Sequence, residues 1–394
     1  MKITSLSIFL FLFFHTCFAK LEPGFDKTEA REMIMICNSF TYLDLYEDDE
    51  DILPDGYEKR YTSGTFGMDN KYQVYVKGNI AVINFRGSTD KQLSWIQNFH
   101  ASMIPAKGVI KVNGKKFDYC FAKDTAAAVH SGYALGIAFL EQELMVQIKS
   151  LNNEGIYNII LTGHSQGGAL ANMFRAYLEN LPAKMRPGKT IFKTYAFAAP
   201  MTGNKNFAKE YNRRFGAEST SFNIVNVSDI IPTFPVNYND SNYIRDNVNS
   251  IVYGTEFSLK KMLIEGGARL FDDKLSQLMG YVGKSANKKI GNEVSEFELP
   301  ARVKDINYFP LESRIELKEF AYPKILKDSS ILENDSLMQI YVRDNEGNFL
   351  NNKLYKSGSW TFQHKPHNYY VAILKKFFPE EYELLGEKYL PENL

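Results

Sequence analysis

The sequence predicts an α/β protein: a mostly parallel central sheet with helices on both faces, plus an insertion or cap in its C-terminal half. Three observations carry this. Between about residues 70 and 230, strand-like runs alternate with helical patterns, as crossover connections in a parallel sheet require. Runs such as NIAVINF at 79–85 and YNIIL at 157–161 are almost wholly apolar, as strands covered on both faces are. A Gly-His-Ser-Gln-Gly turn, residues 163–167, joins one of these strands to a helix.

Each element follows in order. Lys2, the apolar stretch Leu6 to Phe14 broken only by Ser7, and the Cys17-Phe18-Ala19 ending read as an export signal over 1–19. The apolar run is too short for a comfortable membrane span, so the expectation is cleavage before Lys20 and a secreted or exported protein. Residues 30–42 predict a helix, with Met33, Ile36 and Phe40 at helical spacing. Strands are expected at 72–75 and 79–85, and a long helix at 131–148 with Leu135, Ala138, Phe139, Leu144 and Ile148 near one face. A strand at 157–161, a helix at 168–178 and strands at 190–198 and 221–227 complete the alternation. The catalytic domain therefore spans 20–254 in its main part.

After Tyr253 the pattern changes. A helical stretch at 257–282 is interrupted by Gly266-Gly267, and a Lys/Asn/Gly-rich segment follows at 283–292. Short strand-like pieces such as 337–342 and a turn at 344–347 come next. Residues 255–355 read as an insertion or cap, and 356–394 as a return to the catalytic domain.

Composition bounds the function. Forty-six basic side chains against 46 acidic ones, with no block of like charge, give no electrostatic reason for a nucleic-acid partner. No ligand cluster calls for a metal or an organic cofactor, and no obligate protein partner is evident. The abundance of Tyr and Phe suits a well-filled core, and also an apolar pocket or lipid-facing surface. Cys37 and Cys120 remain after cleavage; they form either one disulfide or two buried thiols. Asn226, Asn239 and Asn334 fit the glycan-acceptor pattern, although Asn226 sits in a predicted strand.

The chemistry centres on Ser165. In a strand–turn–helix context, a G-x-S-x-G turn is the nucleophile elbow of the α/β-hydrolase fold. A sharp turn holds the serine in a strained conformation, and flanking side chains would collide with backbone. The helix N-terminus beyond it offers unpaired N–H groups to a developing oxyanion. Serine needs a base and the base an orienting carboxylate, in the chain order Ser, acid, His. Only His364 and His367 follow Ser165. His367, which opens His-Asn-Tyr-Tyr before the apolar Val371 to Leu374, is the preferred base, with His364 its loop neighbour. Asp229, after the strand at 221–227 and before Ile230-Ile231-Pro232, is the preferred acid because active sites gather at the C-terminal ends of such strands. Arg86, His130 and His164 read as structural.

Several blocks together resemble the class 3 lipase family, which includes the fungal triacylglycerol lipases. They are Asn84-Phe85-Arg86-Gly87-Ser88 with Trp95-Ile96, Val129-His130-Ser131-Gly132-Tyr133, residues 162–168, and Ala196-Phe197-Ala198-Ala199-Pro200 with Gly203-Asn204. The Asp229-Ile230-Ile231-Pro232 and His367-Asn368-Tyr369-Tyr370 segments complete the set. The resemblance covers about 30–240 and the tail, and it implies backbone oxyanion donors at Ser88 and Gln166. It also implies a lid at 89–99, where Leu93, Trp95, Ile96 and Phe99 equally suit a plain amphipathic helix. Asn98 stands where the family often has an acid.

The expectation is carboxylic-ester hydrolysis through an acyl-enzyme, with Ser165 attacking, His367 moving the proton and Asp229 orienting it. The resemblance favours a lipid ester, an acylglycerol or phospholipid, with transient contact at a lipid interface. A short-chain or polysaccharide-linked ester, or a non-catalytic lipid-binding role, are the alternatives.

Overall fold

The structure, a computed structural model, describes residues 20–393 except 187, 236–272, 320, 334–339, 360 and 387. The export signal at 1–19, most of the helix expected at 257–282 and part of the strand expected at 337–342 lie outside the described residues, as do Asn239 and Asn334.

Strands β1 (Glu58–Thr62), β2 (Tyr72–Lys77) and β3 (Ile80–Phe85) pair antiparallel and open the main sheet. Short strands β4 (Met103–Pro105), β5 (Lys107–Val112), β6 (Lys115–Cys120) and β7 (Ala128–His130) precede β8 (Asn158–His164) and β9 (Ile191–Phe197). Then come β10 (Gly203–Asn204), β11 (Ser221–Asn226), β12 (Phe297–Glu298), β13 (Tyr308–Phe309) and β14 (Arg314–Leu317). The seven-stranded main sheet has the order β1-β2-β3-β8-β9-β11-β14. From β3 onward its pairings are parallel. The helices are α1 (Lys27–Tyr46), α2 (Gln92–Phe99), α3 (Ser131–Asn153), α4 (Gln166–Asn180), α5 (Lys205–Tyr211), α6 (Asp273–Glu293), α7 (Pro366–Phe377) and α8 (Pro379–Leu384).

Period-two alternation along the central strands sorts two cores. Ile83 and Phe85 of β3 and Ile159 and Leu161 of β8 pack with Leu135, Leu144, Leu170 and Phe174 of α3 and α4. Val82 and Ile160, one residue out of phase, pack with Met33 and Ile36 of α1 and Tyr369 and Ile373 of α7. Both strands are therefore apolar on each face, which is why their sequences are near-continuous hydrophobic runs. Asp26 caps α1, its carboxylate accepting from the N–H groups of Thr28 (2.7 Å) and Glu29 (3.0 Å). The sheet order, the covered faces and the strand–turn–helix at Ser165 make this the α/β-hydrolase fold.

The C-terminal half departs from expectation. β14 pairs with β11 as the seventh strand of the main sheet, β13 with β10, and β12 with β5. Residues 297–317 thus belong to the body of the fold, so 255–355 is not one separate cap. The Lys/Asn/Gly-rich segment at 283–292 is helical, within α6. Ala286 and Ile290 give that stretch one buried edge despite its polar composition. The turn at 344–347 is present, with the Gly347 N–H donating to the Asp344 carbonyl at 3.0 Å. Cys37 and Cys120 are both free; Cys37 is buried against Thr162.

The contact between α2 and α3 depends on a glycine. A Cβ at Gly132 would lie 2.0 Å from the carbonyl oxygen of Gln97. Replacing a helical glycine with alanine ordinarily stabilises by up to about 1 kcal/mol. Gly132→Ala should instead lower the thermal midpoint by several degrees, since a backbone carbonyl cannot yield as a side-chain tip can. A raised midpoint in a melting experiment would refute this account of the contact.

Candidate active site

Ser165 stands between β8 and α4 with φ 59° and ψ −127°, a conformation that L-residues rarely adopt. Such backbone costs on the order of 1–3 kcal/mol and persists only where its surroundings hold it. Here its N–H donates to the Phe197 carbonyl at 2.9 Å. The turn also packs against the end of β3: a Cβ at Gly167 would lie 2.1 Å from the Phe85 carbonyl oxygen, and one at Gly163 would lie 2.4 Å from the Gly167 carbonyl carbon. Only glycine fits at these two positions, and their absent side chains let the turn close.

Asp229 sits just beyond the C-terminal end of β11, where the sequence placed it. Its turn is tied by the Asp229 N–H to the Asn226 carbonyl (3.0 Å) and the Ile231 N–H to Asp229 Oδ1 (3.0 Å). Its side chain is almost wholly buried. The Tyr369 hydroxyl donates to Asp229 Oδ2 at 2.7 Å and accepts from the Asn226 N–H at 3.0 Å. Burial, and then the neighbouring Asp229 charge, hold the Tyr369 phenol well above its ordinary pKa, so it remains a donor.

The histidine joining these two groups is His364, not His367. Nε2 of His364 lies 2.8 Å from Ser165 Oγ, and its Nδ1 lies 2.8 Å from Asp229 Oδ2. His364 ends a single helical turn, Phe362–His364, ahead of α7. Pro366 opens α7, and a residue before proline is driven to extended backbone. Lys365 adopts it (φ −63°, ψ 137°), turning His364 out of the helix and back toward Ser165. His367 lies inside the first turn of α7, buried, and neither ring nitrogen has a hydrogen-bond partner among the described residues. The apolar run that favoured His367 is the buried face of α7, and it takes His367 into the protein instead of the site. The proline between the two histidines was the missed signal.

Ser88 and Gln166 also meet here. Ser88 Oγ donates to Gln166 Oε1 at 3.2 Å, and Ser94 Oγ donates to the same oxygen at 3.1 Å. Gln166 is the first residue of α4, so its N–H has no intrahelical partner. The loop that carries Ser88 is gathered on Asp69, which receives Arg86 (2.9 Å), Lys91 (2.9 Å) and the Thr89 hydroxyl (2.7 Å). Burial alone would raise the Asp69 carboxyl, but these partners pull it below its ordinary pKa. Arg86 is structural, as its sequence context suggested.

The segment proposed as a lid is α2, and its inner face is pinned. Gln97 is fully buried against α3, and Asn98 donates to Ser88 Oγ at 2.7 Å while its Oδ1 accepts from the Tyr133 hydroxyl at 3.1 Å. His130 Nε2 lies 3.1 Å from the Asn98 carbonyl. In this arrangement α2 is a wall that holds Ser88. Trp95 and Phe99, stacked at 6.0 Å, are partly exposed along it.

A hydroxyl, an imidazole and a buried carboxylate so connected can move a proton off Ser165 Oγ and stabilise the imidazolium that results. No group of residues suited to hold a metal ion occurs among the described residues. Nor is any described helix long and apolar enough to cross a membrane.

Two outcomes follow from the histidines. His364→Ala should abolish labelling of Ser165 by an active-serine phosphonate, whereas His367→Ala should retain most of it; the opposite pattern would restore His367 as the base. Burial lowers His100 to about 4, His130 to about 3 and His367 to about 4, all below the ordinary 6.5. As pH falls below 6.5 the unfolded chain therefore binds protons that the folded one refuses, and stability declines toward pH 4. Each histidine contributes a slope of up to about 1.4 kcal/mol per pH unit. Urea unfolding at pH 7 and pH 5 measures this, and His367→Asn should make the loss smaller.

The family model described as Lipase (class 3) matches residues 82–239. A secreted mono- and diacylglycerol lipase of Malassezia restricta is 28% identical over 155 residues, 38% of this chain and 45% of that protein. One from Fusarium solani is 25% identical over 183 residues, 45% of this chain and 47% of its own length. The chain thus spans about half the length of the curated relatives it matches. Among solved structures, the Rhizomucor miehei triacylglyceride lipase is similar at 18% identity and a TM-score of 0.39, over 53% of this chain and 74% of that one. The class 3 lipase match thus runs from the middle of β3 past the Asp229 turn, and over that stretch the chain is similar to this family.

Proposed function

We propose that this protein hydrolyses carboxylic esters of lipids, acylglycerols or phospholipids, through an acyl-enzyme on Ser165. One observation carries the reading: the unbroken hydrogen-bond chain from Ser165 Oγ through His364 to Asp229, 2.8 Å at each link. His364 Nε2 takes the hydroxyl proton as Oγ attacks the ester carbonyl. Asp229, fixed by Tyr369 and the Ile231 N–H, holds the ring and stabilises its charge. The backbone N–H groups of Ser88 and Gln166 receive the oxyanion, each contributing roughly 3 kcal/mol to lowering the barrier. His364 then protonates the leaving alcohol and activates water to release the acid.

The class 3 lipase segment and the mono- and diacylglycerol lipases similar to it support the lipid ester as substrate. Partly exposed Trp95 and Phe99 offer an apolar edge beside Ser88 for an acyl chain or a lipid surface. We propose export as well, a reading supported by the leader-like residues 2–19 and by relatives named as secreted.

The test is hydrolysis of acyl esters graded from short to long, with lipid interfaces present, by the wild type, Ser165→Ala and His364→Ala. Long-chain turnover should fall by at least about a thousandfold in either variant. Turnover confined to short chains would argue for a general esterase, and an undiminished rate in Ser165→Ala would refute the assignment.

A further inference from the structure

The turn that carries the acid and the turn that carries the base are joined a second time, behind the reacting groups. Asn226, the last residue of β11, is 2% exposed, yet each of its polar groups is engaged. Its N–H donates to the Tyr369 hydroxyl at 3.0 Å. Its carbonyl and its Oδ1 accept from the N–H groups of Asp229 and Ser228, 3.0 Å each, and so close the turn that delivers the acid. A backbone N–H can only donate, so the bond from Ser228 fixes the sense of the Asn226 amide and leaves Nδ2 to donate elsewhere. It donates to Gln363 Oε1 at 2.8 Å, across 137 residues of chain.

Gln363 is the middle residue of the single helical turn Phe362–His364 and adjoins the base. One turn is too short to hold itself in place, so its position comes from what it is tied to. Phe362 is buried, and Asn368 Nδ2 donates to the Phe362 carbonyl at 2.6 Å, which secures the turn against α7. The bond from Asn226 secures it instead against β11, the strand from which Asp229 hangs. His364 must meet Ser165 Oγ and Asp229 Oδ2 at once, 2.8 Å from each, and such bonds weaken steeply as they lengthen or bend. A drift of the turn relative to β11 is therefore felt at both links. We propose that Asn226 and Gln363 are positioning residues that set His364 against Asp229 for proton transfer, a role that rests on the ester-hydrolysis reading. Neither touches the reacting atoms; both act through the acid and the base.

The experiment compares steady-state hydrolysis of one acyl ester by the wild type, Gln363→Met, Gln363→Glu, Asn226→Ala and Asn226→Ala/Gln363→Met, with Ser165→Ala as control. The low-field proton NMR resonance of the His364–Asp229 hydrogen bond is recorded alongside. A cooperative melting transition verifies that each variant is folded, and the Gln363 variants carry the test should Asn226→Ala fail to fold. Gln363→Met keeps the volume and deletes the acceptor. It should lower kcat about tenfold or more while KM stays within about twofold, and it should shift or broaden the resonance. Gln363→Glu keeps an acceptor oxygen for Asn226 Nδ2 and should recover most of both losses. The double variant should be no slower than Asn226→Ala, because Gln363 acts through its partner. A kcat within about twofold of wild type in Gln363→Met, losses that multiply in the double variant, or a resonance unmoved throughout would overturn the pairing. A wild type that turns over no ester, or Ser165→Ala that turns it over undiminished, would instead sink the ester-hydrolysis reading; the resonance then decides the pairing on its own.

Discussion

The close approach of three backbone segments around Ser165 is the constraint on which the rest of the structure depends. The end of β3, the end of β8 and the start of α4 meet so tightly that no side chain fits at Gly163 or Gly167. This contact forces Ser165 into a strained conformation and sets the N-terminus of α4 beside the loop that carries Ser88. The cost of the strain is offset by burial: α4 is enclosed along most of its length, and both faces of β8 are covered. A rigid scaffold of this kind lets a single turn hold its chemistry in place without help from a ligand.

The second half of the site arrives from far along the chain. Tyr369 belongs at once to the apolar face of α7 and to the Asp229 carboxylate, so packing and polar order are coupled in one side chain. Its ring lies in the core between α1 and the sheet, while its hydroxyl bridges the end of β11 and the acid. His164 sits between this tyrosine and His364, with ring centroids 5.4 and 4.8 Å away, and burial keeps it neutral. It therefore fills space beside the imidazole without competing for its proton.

Much of this was legible in the sequence. The alternating apolar runs at 79–85, 157–161, 190–198 and 221–227 predict the parallel strands, because periodicity reports burial directly. Ser165 and Asp229 are read from a strand–turn–helix and a strand end, whereas Ser88 and Gln166 come from the family resemblance alone. The base did not follow from periodicity. Choosing between His364 and His367 turned on the local backbone before Pro366, and hydrophobic pattern does not record that. Residues 297–317 were hidden for a related reason: strands of two to four residues leave no readable alternation, and their place comes from long-range pairing with β5, β10 and β11. Tyr369 and Asn98 stood in segments that the resemblance marked, but their roles were not legible, since each matters through a partner distant in sequence.

The bond between Ser165 and His364 joins residues 199 positions apart. During synthesis, a chain that has reached Asp229 contains the serine and the acid but not the His364 imidazole that joins them. The hydrogen-bonded trio can form only when the turn before α7 has emerged and docked. The serine and the imidazole are thus held apart for most of the chain's translation, a delay written into the order of its residues.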